Sequence, residues 1–222
     1  MADPWKEKRV IGNATLFLGD CRETLKALPK CFEVGAVITD PVWPNTKPGI
    51  YAGTDDPVGL FSGMWKALPQ IPARAVIWMR NDSDPRFLEP VPLPFRQVMW
   101  MRYSAVGYIG RFMTGNDVAY AFGAWPTSRP HARVLPAIGP VQTQSLKGTI
   151  SHPTPRSVIH ARWLVEYWGE GSVLDPFMGS GTVGIACVEL SRPFMGIEID
   201  EAYFNEACER IENAQRQMRM FA

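Results

Sequence analysis

Val173-Leu174-Asp175-Pro176-Phe177-Met178-Gly179-Ser180-Gly181-Thr182 decides how the rest of the chain is read. A short apolar run ends at an acid and a proline. Two glycines then allow a tight turn, and Thr182 opens an apolar segment that continues as a helix to about Leu190. Strand, turn and helix in that order set backbone N–H groups and the positive end of a helix against a ligand. The spacing departs from the G-x-G-x-x-G of dinucleotide sites, because only Gly179 and Gly181 fall in the turn and Gly184 lies in the helix. The next strand runs from Phe194 to Ile199 and carries Glu198 at its tip. An acid there accepts hydrogen bonds from ribose hydroxyls. Glu198 suits that role, since Asp200 stands where it caps a terminal helix over 201–219.

Upstream, strands and helices alternate. Ala14 to Leu18 reads as a strand closed by Gly19-Asp20, with Asp20 able to cap a helix over 21–28 that stops before Pro29. Val34 to Thr39 is a β-branched apolar run that stops at Asp40-Pro41. Pro44, Pro48, Pro57, Gly49 and Gly53 mark 44–58 as loop, followed by a helix near 60–68. Ala75 to Met79 is a third buried strand, and Gln97–Tyr103 with Val118–Phe122 form an antiparallel pair. Residues 124–150 read as loop, and Thr154 to Trp168 has helical periodicity. This alternation implies a parallel-rich α/β sheet in a single domain over 1–222.

Composition narrows the class. A net charge of +1 gives no global argument for nucleic acid. Locally, no acid occurs between Asp117 and Glu166, while Arg129, Arg133, Lys147, Arg156, Arg162 and all three histidines fall there. Such a stretch suits phosphates, and Gln142 and Gln144 have the groups to read base edges. Cys21, Cys31, Cys187 and Cys208 form no C-x-x-C pair, so neither zinc nor a disulfide framework is expected. The polar Met1–Lys8 segment and the lack of a long apolar run suggest a cytoplasmic chain without a membrane span.

The Asp175–Thr182 segment, with Glu198 after it and Asp40-Pro41-Val42-Trp43 before it, resembles the AdoMet-dependent DNA amino-methyltransferases. Their D-P-F-x-G-x-G-T segment is matched in full. Their D/S-P-P-aromatic segment is matched with Val42 at the second proline and Trp43 as the aromatic. His152-Pro153-Thr154-Pro155-Arg156-Ser157 resembles the family's H-P-T-x-K-P, with Arg-Ser for Lys-Pro. The order, Asp-Pro before the glycine turn, is that of the permuted group with base recognition between the two.

The resemblance implies a class I (Rossmann-like) methyltransferase fold, a mixed, mostly parallel seven-strand-like sheet with helices on both faces. It implies S-adenosylmethionine (AdoMet) as cofactor and DNA as partner, as in restriction–modification systems. Asp20, Thr154, Asp175, Phe177, Gly179, Gly181, Thr182 and Glu198 would bind the cofactor. Asp40, the Pro41 carbonyl and Trp43 would hold the target base. Asp40 and the carbonyl accept the two N–H groups of an exocyclic amine, and Trp43 stacks on a base taken out of the duplex. Asp at position 40 leans toward adenine-N6 over cytosine-N4. Amino-methylation of RNA or protein, and a DNA-binding relative without catalysis, remain alternatives. The loop-rich region around 124–150 would be a small target-recognition insert, with Arg129, Arg133 and Lys147 on DNA. Its size points to a short recognition sequence or to a homodimer. Residues 44–56 would close over the base. No cysteine follows a proline, which argues against carbon-5 cytosine chemistry.

Overall fold

In a computed structural model, residues 3–29, 33–109, 111–127, 136–143 and 156–220 are described. Among the described residues, nine strands form one sheet in the order β1-β2-β9-β8-β3-β4-β6-β5-β7. They are β1 (Glu7–Ile11), β2 (Ala14–Leu18), β3 (Ala36–Thr39), β4 (Arg74–Arg80), β5 (Phe95–Ile109), β6 (Phe112–Gly123), β7 (Ile138–Gln142), β8 (Val173–Asp175) and β9 (Phe194–Glu198). β2, β9, β8, β3 and β4 run parallel, while β1 and β6 pair antiparallel at the two flanks of that block. The helices are α1 (Cys21–Ala27), α2 (Pro57–Ala67), α3 (Val158–Trp168), α4 (Thr182–Glu189) and α5 (Glu201–Met220).

The parallel block is covered on both faces, which is why its strands are apolar throughout rather than alternating. β3 is buried at every position. Its side chains still alternate between two cores. Ala36 and Ile38 join Val76, Trp78 and residues of α3, α4 and α5, whereas Val37 joins Ala75, Ile77 and residues of α1 and α2. α5 buries one stripe, Phe204, Ala207, Cys208, Ile211 and Ala214, and most of its other positions are polar. The close packing of α5 on the glycine turn depends on small residues. A Cβ on Gly184 would lie 2.5 Å from Ile211 and 2.7 Å from the Phe194 ring.

The expected fold class holds, with differences at the sheet margins. β1 and β7 are edge strands that the pattern did not reveal. β1 is Glu-Lys-Arg-Val-Ile, with three exposed residues, and β7 contains Gly139-Pro140, read above as loop. Charged residues and proline are tolerated at an edge because one side of the strand needs no ladder partner. The β5–β6 pair is longer than Gln97–Tyr103 and Val118–Phe122, with register shifts between Phe95 and Gln97 and between Arg102 and Gly107. α3 begins at Val158 rather than at Thr154. Among the described residues, no helix is long and apolar enough to cross a membrane, and no group of three metal-ligating side chains gathers. Cys21, Cys187 and Cys208 are free and buried.

Candidate active site at the carboxyl edge of the sheet

Parallel strands end on one edge, so the residues after β2, β9, β8, β3 and β4 converge there. β3 and β8 are hydrogen-bonded neighbours, with Ala36 opposite Val173 and Val37 opposite Leu174. Their ends therefore bring Asp40 and the Asp175–Thr182 turn side by side. A cleft of about 400 Å³ lies above them. Asp40, Pro41, Trp43, Phe177 and Gly179 line it, together with Asp20, Glu198 and Asp200. Residues of the 44–56 loop, including Thr46, Ile50 and Tyr51, form part of its wall.

The glycine turn is fastened from two directions. Gly179 and Gly181 have φ of 52° and 78°, a region that costs other residues about 1–2 kcal/mol. Glu198 Oε2 accepts the Gly179 N–H at 2.7 Å, and Oε1 accepts those of Ile199 and Asp200 at 2.9 Å each. A carboxylate has roughly four acceptor positions, so Glu198 retains one for a ligand hydroxyl. Burial pushes its pKa up, opposed by those backbone donors. Gly181 does not line the cleft. It is the N-cap of α4 and faces Ala207 and Ile211 of α5. Thr182 borders a smaller cavity of about 60 Å³ beside Asp40, Asp175 and Phe177.

Asp175 lies beneath the cleft. Its Oδ1 accepts from the Thr39 hydroxyl at 2.6 Å and from the Phe177 N–H at 3.2 Å. Burial pushes its pKa up to about 7, against those two donors and with the charges of Asp40 and Glu198 adding to the rise. The folded chain thus holds this proton more tightly than the unfolded chain, whose carboxyl has an ordinary value of 3.8. The stability this confers is complete below the unfolded value and is lost as the pH rises through about 7. Asp175→Asn stays neutral throughout. Its thermal midpoint is therefore expected to gain on the wild type between pH 5 and pH 8, and midpoints running parallel across that range would refute the assignment.

Asp20 caps α1 by accepting the Arg22 N–H at 2.8 Å, and its other oxygen meets Arg22 Nη2 at 2.6 Å. These bonds place it on the cleft wall and, with burial opposing, lower its pKa. Asp200 caps α5 as expected, accepting from Ala202 and Tyr203.

Asp40 has a partner that the sequence reading did not assign. Arg156, just before α3, reaches its two oxygens through Nε at 2.6 Å and Nη2 at 3.3 Å. The same guanidinium donates through Nη1 to Asp117 of β6 at 2.5 Å, and the Tyr103 hydroxyl of β5 donates to Asp117 at 2.7 Å. It also covers the Trp43 ring, 4.6 Å from the centroid, and sits 5.4 Å from that of Trp78. The Arg156 side chain is only 11% exposed, so it is not the surface phosphate ligand expected from the basic stretch. Gln142 is likewise buried, accepting from the Ser157 hydroxyl at 2.5 Å, and does not present itself to base edges. His160 is buried against the Pro140 carbonyl at 3.0 Å. Arg162 is exposed, 4.0 Å from Glu189. Arg129, Arg133, Lys147, Gln144 and Thr154 lie outside the described residues.

A mostly parallel sheet with helices on both faces and a cleft at its carboxyl edge is a Rossmann-like arrangement. The PvuII DNA methyltransferase (cytosine-N4-specific) has this fold, with a TM-score of 0.69 and 16% identity over 96% of each chain. So does M1.HpyAVI, solved as its SAM complex, with a TM-score of 0.70 and 22% identity over 89% of this chain and 98% of that one. A family model described as DNA methylase, of the N6/N4 type, matches residues 94–209, and the chain belongs to that family. The match includes the glycine turn and Glu198 but not Asp40. Among curated relatives, the type II methyltransferase M.SmaI of Serratia marcescens is 41% identical over 71 residues, 32% of this chain. That stretch is 24% of M.SmaI, so the aligned part is about a quarter of that relative's length.

Proposed function

We propose that the chain transfers a methyl group from AdoMet to the exocyclic amino nitrogen of a base in DNA, adenine in particular. The observation that carries this reading is that Asp40-Pro41 and the Gly179 turn follow neighbouring parallel strands and line one cleft.

The cleft suits AdoMet. Its volume of about 400 Å³ falls in the range of small-ligand sites, roughly 300–1,000 Å³. Its wall carries Asp20, Glu198 and Asp200, which favour a ligand bearing positive charge. Glu198 has an acceptor position left for a ribose hydroxyl, and Phe177 and Gly179 would flank the methionine part. When bound, AdoMet supplies an electrophilic methyl group on a sulfonium.

The remaining work falls to the chain's own residues. An amino group on an aromatic base is a weak nucleophile because its lone pair is shared with the ring. Asp40 and the Pro41 carbonyl each accept one amino N–H, which draws the nitrogen toward tetrahedral geometry and aims its lone pair. With two of its roughly four acceptor positions used by Arg156, Asp40 retains room for this bond. Trp43 lines the cleft, but its ring is buried and covered by Arg156, so in this conformation it presents no free face to a base removed from the stack. Positioning and electrostatics supply the rate enhancement, with no covalent bond to the enzyme.

Asp rather than Ser at position 40 supports adenine by resemblance to the family. Incubating the chain with duplex DNA and methyl-labelled AdoMet, then chromatographing the nucleosides, is expected to yield 6-methyladenine. Label in 4-methylcytosine would overturn the adenine reading alone, and label in RNA or protein but not DNA would overturn the substrate class.

A further inference from the structure

We propose that Arg156 is a positioning residue that keeps Asp40 ionised and aligned for the target amine, with Asp117 and Tyr103 holding the guanidinium in place. The inference rests on the function proposed above and adds to it a role for Arg156, which stands at the lysine position of the His152–Ser157 segment.

Geometry carries the argument. Asp40 lines the cleft in a largely desolvated position, where its only strong cation is Arg156 among the described residues. The contact is two-pronged, Nε to Oδ2 and Nη2 to Oδ1, so it fixes the carboxylate plane as well as its charge. A planar fork of this kind is what a lysine cannot reproduce. Asp117 takes the third guanidinium nitrogen and Tyr103 in turn donates to Asp117, so the arginine is anchored from β5 and β6. Trp43 and Trp78 flank it with their rings. A free surface arginine has none of these restraints.

The groups facing Asp40 act in opposite directions. Arg156 stabilises its charge, while Asp117 of β6 and Asp175 of β8 oppose it; Tyr103 of β5, His160 of α3 and Arg80 at the end of β4 stand behind these. Burial raises the Asp40 pKa more than any other influence, and Arg156 is the chief influence lowering it. For Arg156 itself, burial disfavours the cation, but Asp117 and Asp40 more than compensate and raise its pKa. Protonated Asp40 loses an acceptor that the amine needs. Activity therefore falls as the pH drops through the Asp40 pKa, and removal of Arg156 moves that fall to higher pH.

The test compares wild type, Arg156→Met and Arg156→Lys. Methyl transfer to duplex DNA is measured from pH 5 to 9, and AdoMet binding serves as the check on folding. Arg156→Met is expected to lose about tenfold in kcat at pH 7 and to shift the acid limb upward by about one pH unit. Arg156→Lys is expected to restore part of both. In parallel, carboxyl-carbon NMR of aspartate-labelled protein follows Asp40, identified by the signal lost in Asp40→Asn. That signal should titrate at higher pH in Arg156→Met than in wild type. An acid limb and a carboxyl titration that stay where they are in Arg156→Met overturn the proposal. If Arg156→Met does not fold, Arg156→Gln, which also lacks the charge, decides by the same two readouts. A wild-type chain that methylates no DNA removes the function reading, while the carboxyl titration still decides whether Arg156 sets the charge of Asp40.

Discussion

Replacing Asp40 with alanine is expected to lower methyl transfer about 10³-fold, with AdoMet affinity changed less than about threefold. The magnitude follows from loss of a preorganised acceptor aimed at the reacting group. The sparing of affinity follows from the cleft, in which the candidate cofactor contacts come from Phe177 and Gly179 in the turn after β8 and from Glu198 at the end of β9, not from the segment after β3. Arg156 complicates the reading of any change at this position. Without Asp40 it keeps Asp117 but loses half of its compensation in a buried site. Breaking a buried pair costs about 3–5 kcal/mol when the remaining charge has no other partner, and less here because Asp117 remains. Thermal denaturation and isothermal titration with AdoMet therefore belong beside the transfer assay. A loss of AdoMet binding equal to the loss of transfer would make Asp40 a structural residue. Asp40→Asn, close in shape and able to accept through one oxygen, should fall between wild type and Asp40→Ala.

The second large effect is on stability. Gly181→Ala is expected to destabilise the fold by about 2–4 kcal/mol, combining the left-handed backbone cost with a crowded contact. The new Cβ would lie 2.9 Å from the Ala207 Cβ and 3.2 Å from its Cα, with φ at 78°. For a chain of this length that corresponds to a fall of about 4–16 °C in the thermal midpoint. The AdoMet affinity of whatever fraction remains folded should be little changed, because Gly181 faces α5 rather than the cleft. A variant with the wild-type melting point and weakened AdoMet binding would reverse that assignment. The two glycines of one short motif thus have separate positions, Gly179 on the cleft wall and Gly181 in the joint between helices.

Much of this architecture was legible before any coordinates. The parallel block announces itself through apolar β-branched runs that stop at Asp20, Asp40 and Asp175, and the turn glycines mark where the chain reverses. The edge strands did not, because β1 and β7 lack the burial that forces a pattern. The burial of Gln142 and Arg156 is not legible in sequence, since a polar side chain carries no sign of whether it will be paired in the interior. The ion pair joining Arg156 to Asp40 spans 116 residues of sequence, and the bond to Asp117 spans 39. Two clues pointed that way. Arg156 stands where the family has lysine, and Asp117 is the last acid before a long acid-free stretch and directly precedes the run Val118–Phe122.

The sheet order has a consequence for biosynthesis. β2 and β3 are consecutive in the chain yet are held apart by β9 and β8, the last two strands to be made. A polypeptide still on the ribosome and ending before Val173 carries Asp40 but lacks the two central strands that join its halves. Its unpaired strand edges must wait, and pairings this remote form slowly and attract chaperones. Stalled nascent chains ending at residue 172 should therefore be cut readily by protease in the β2–β3 region, and chains released after α5 should resist.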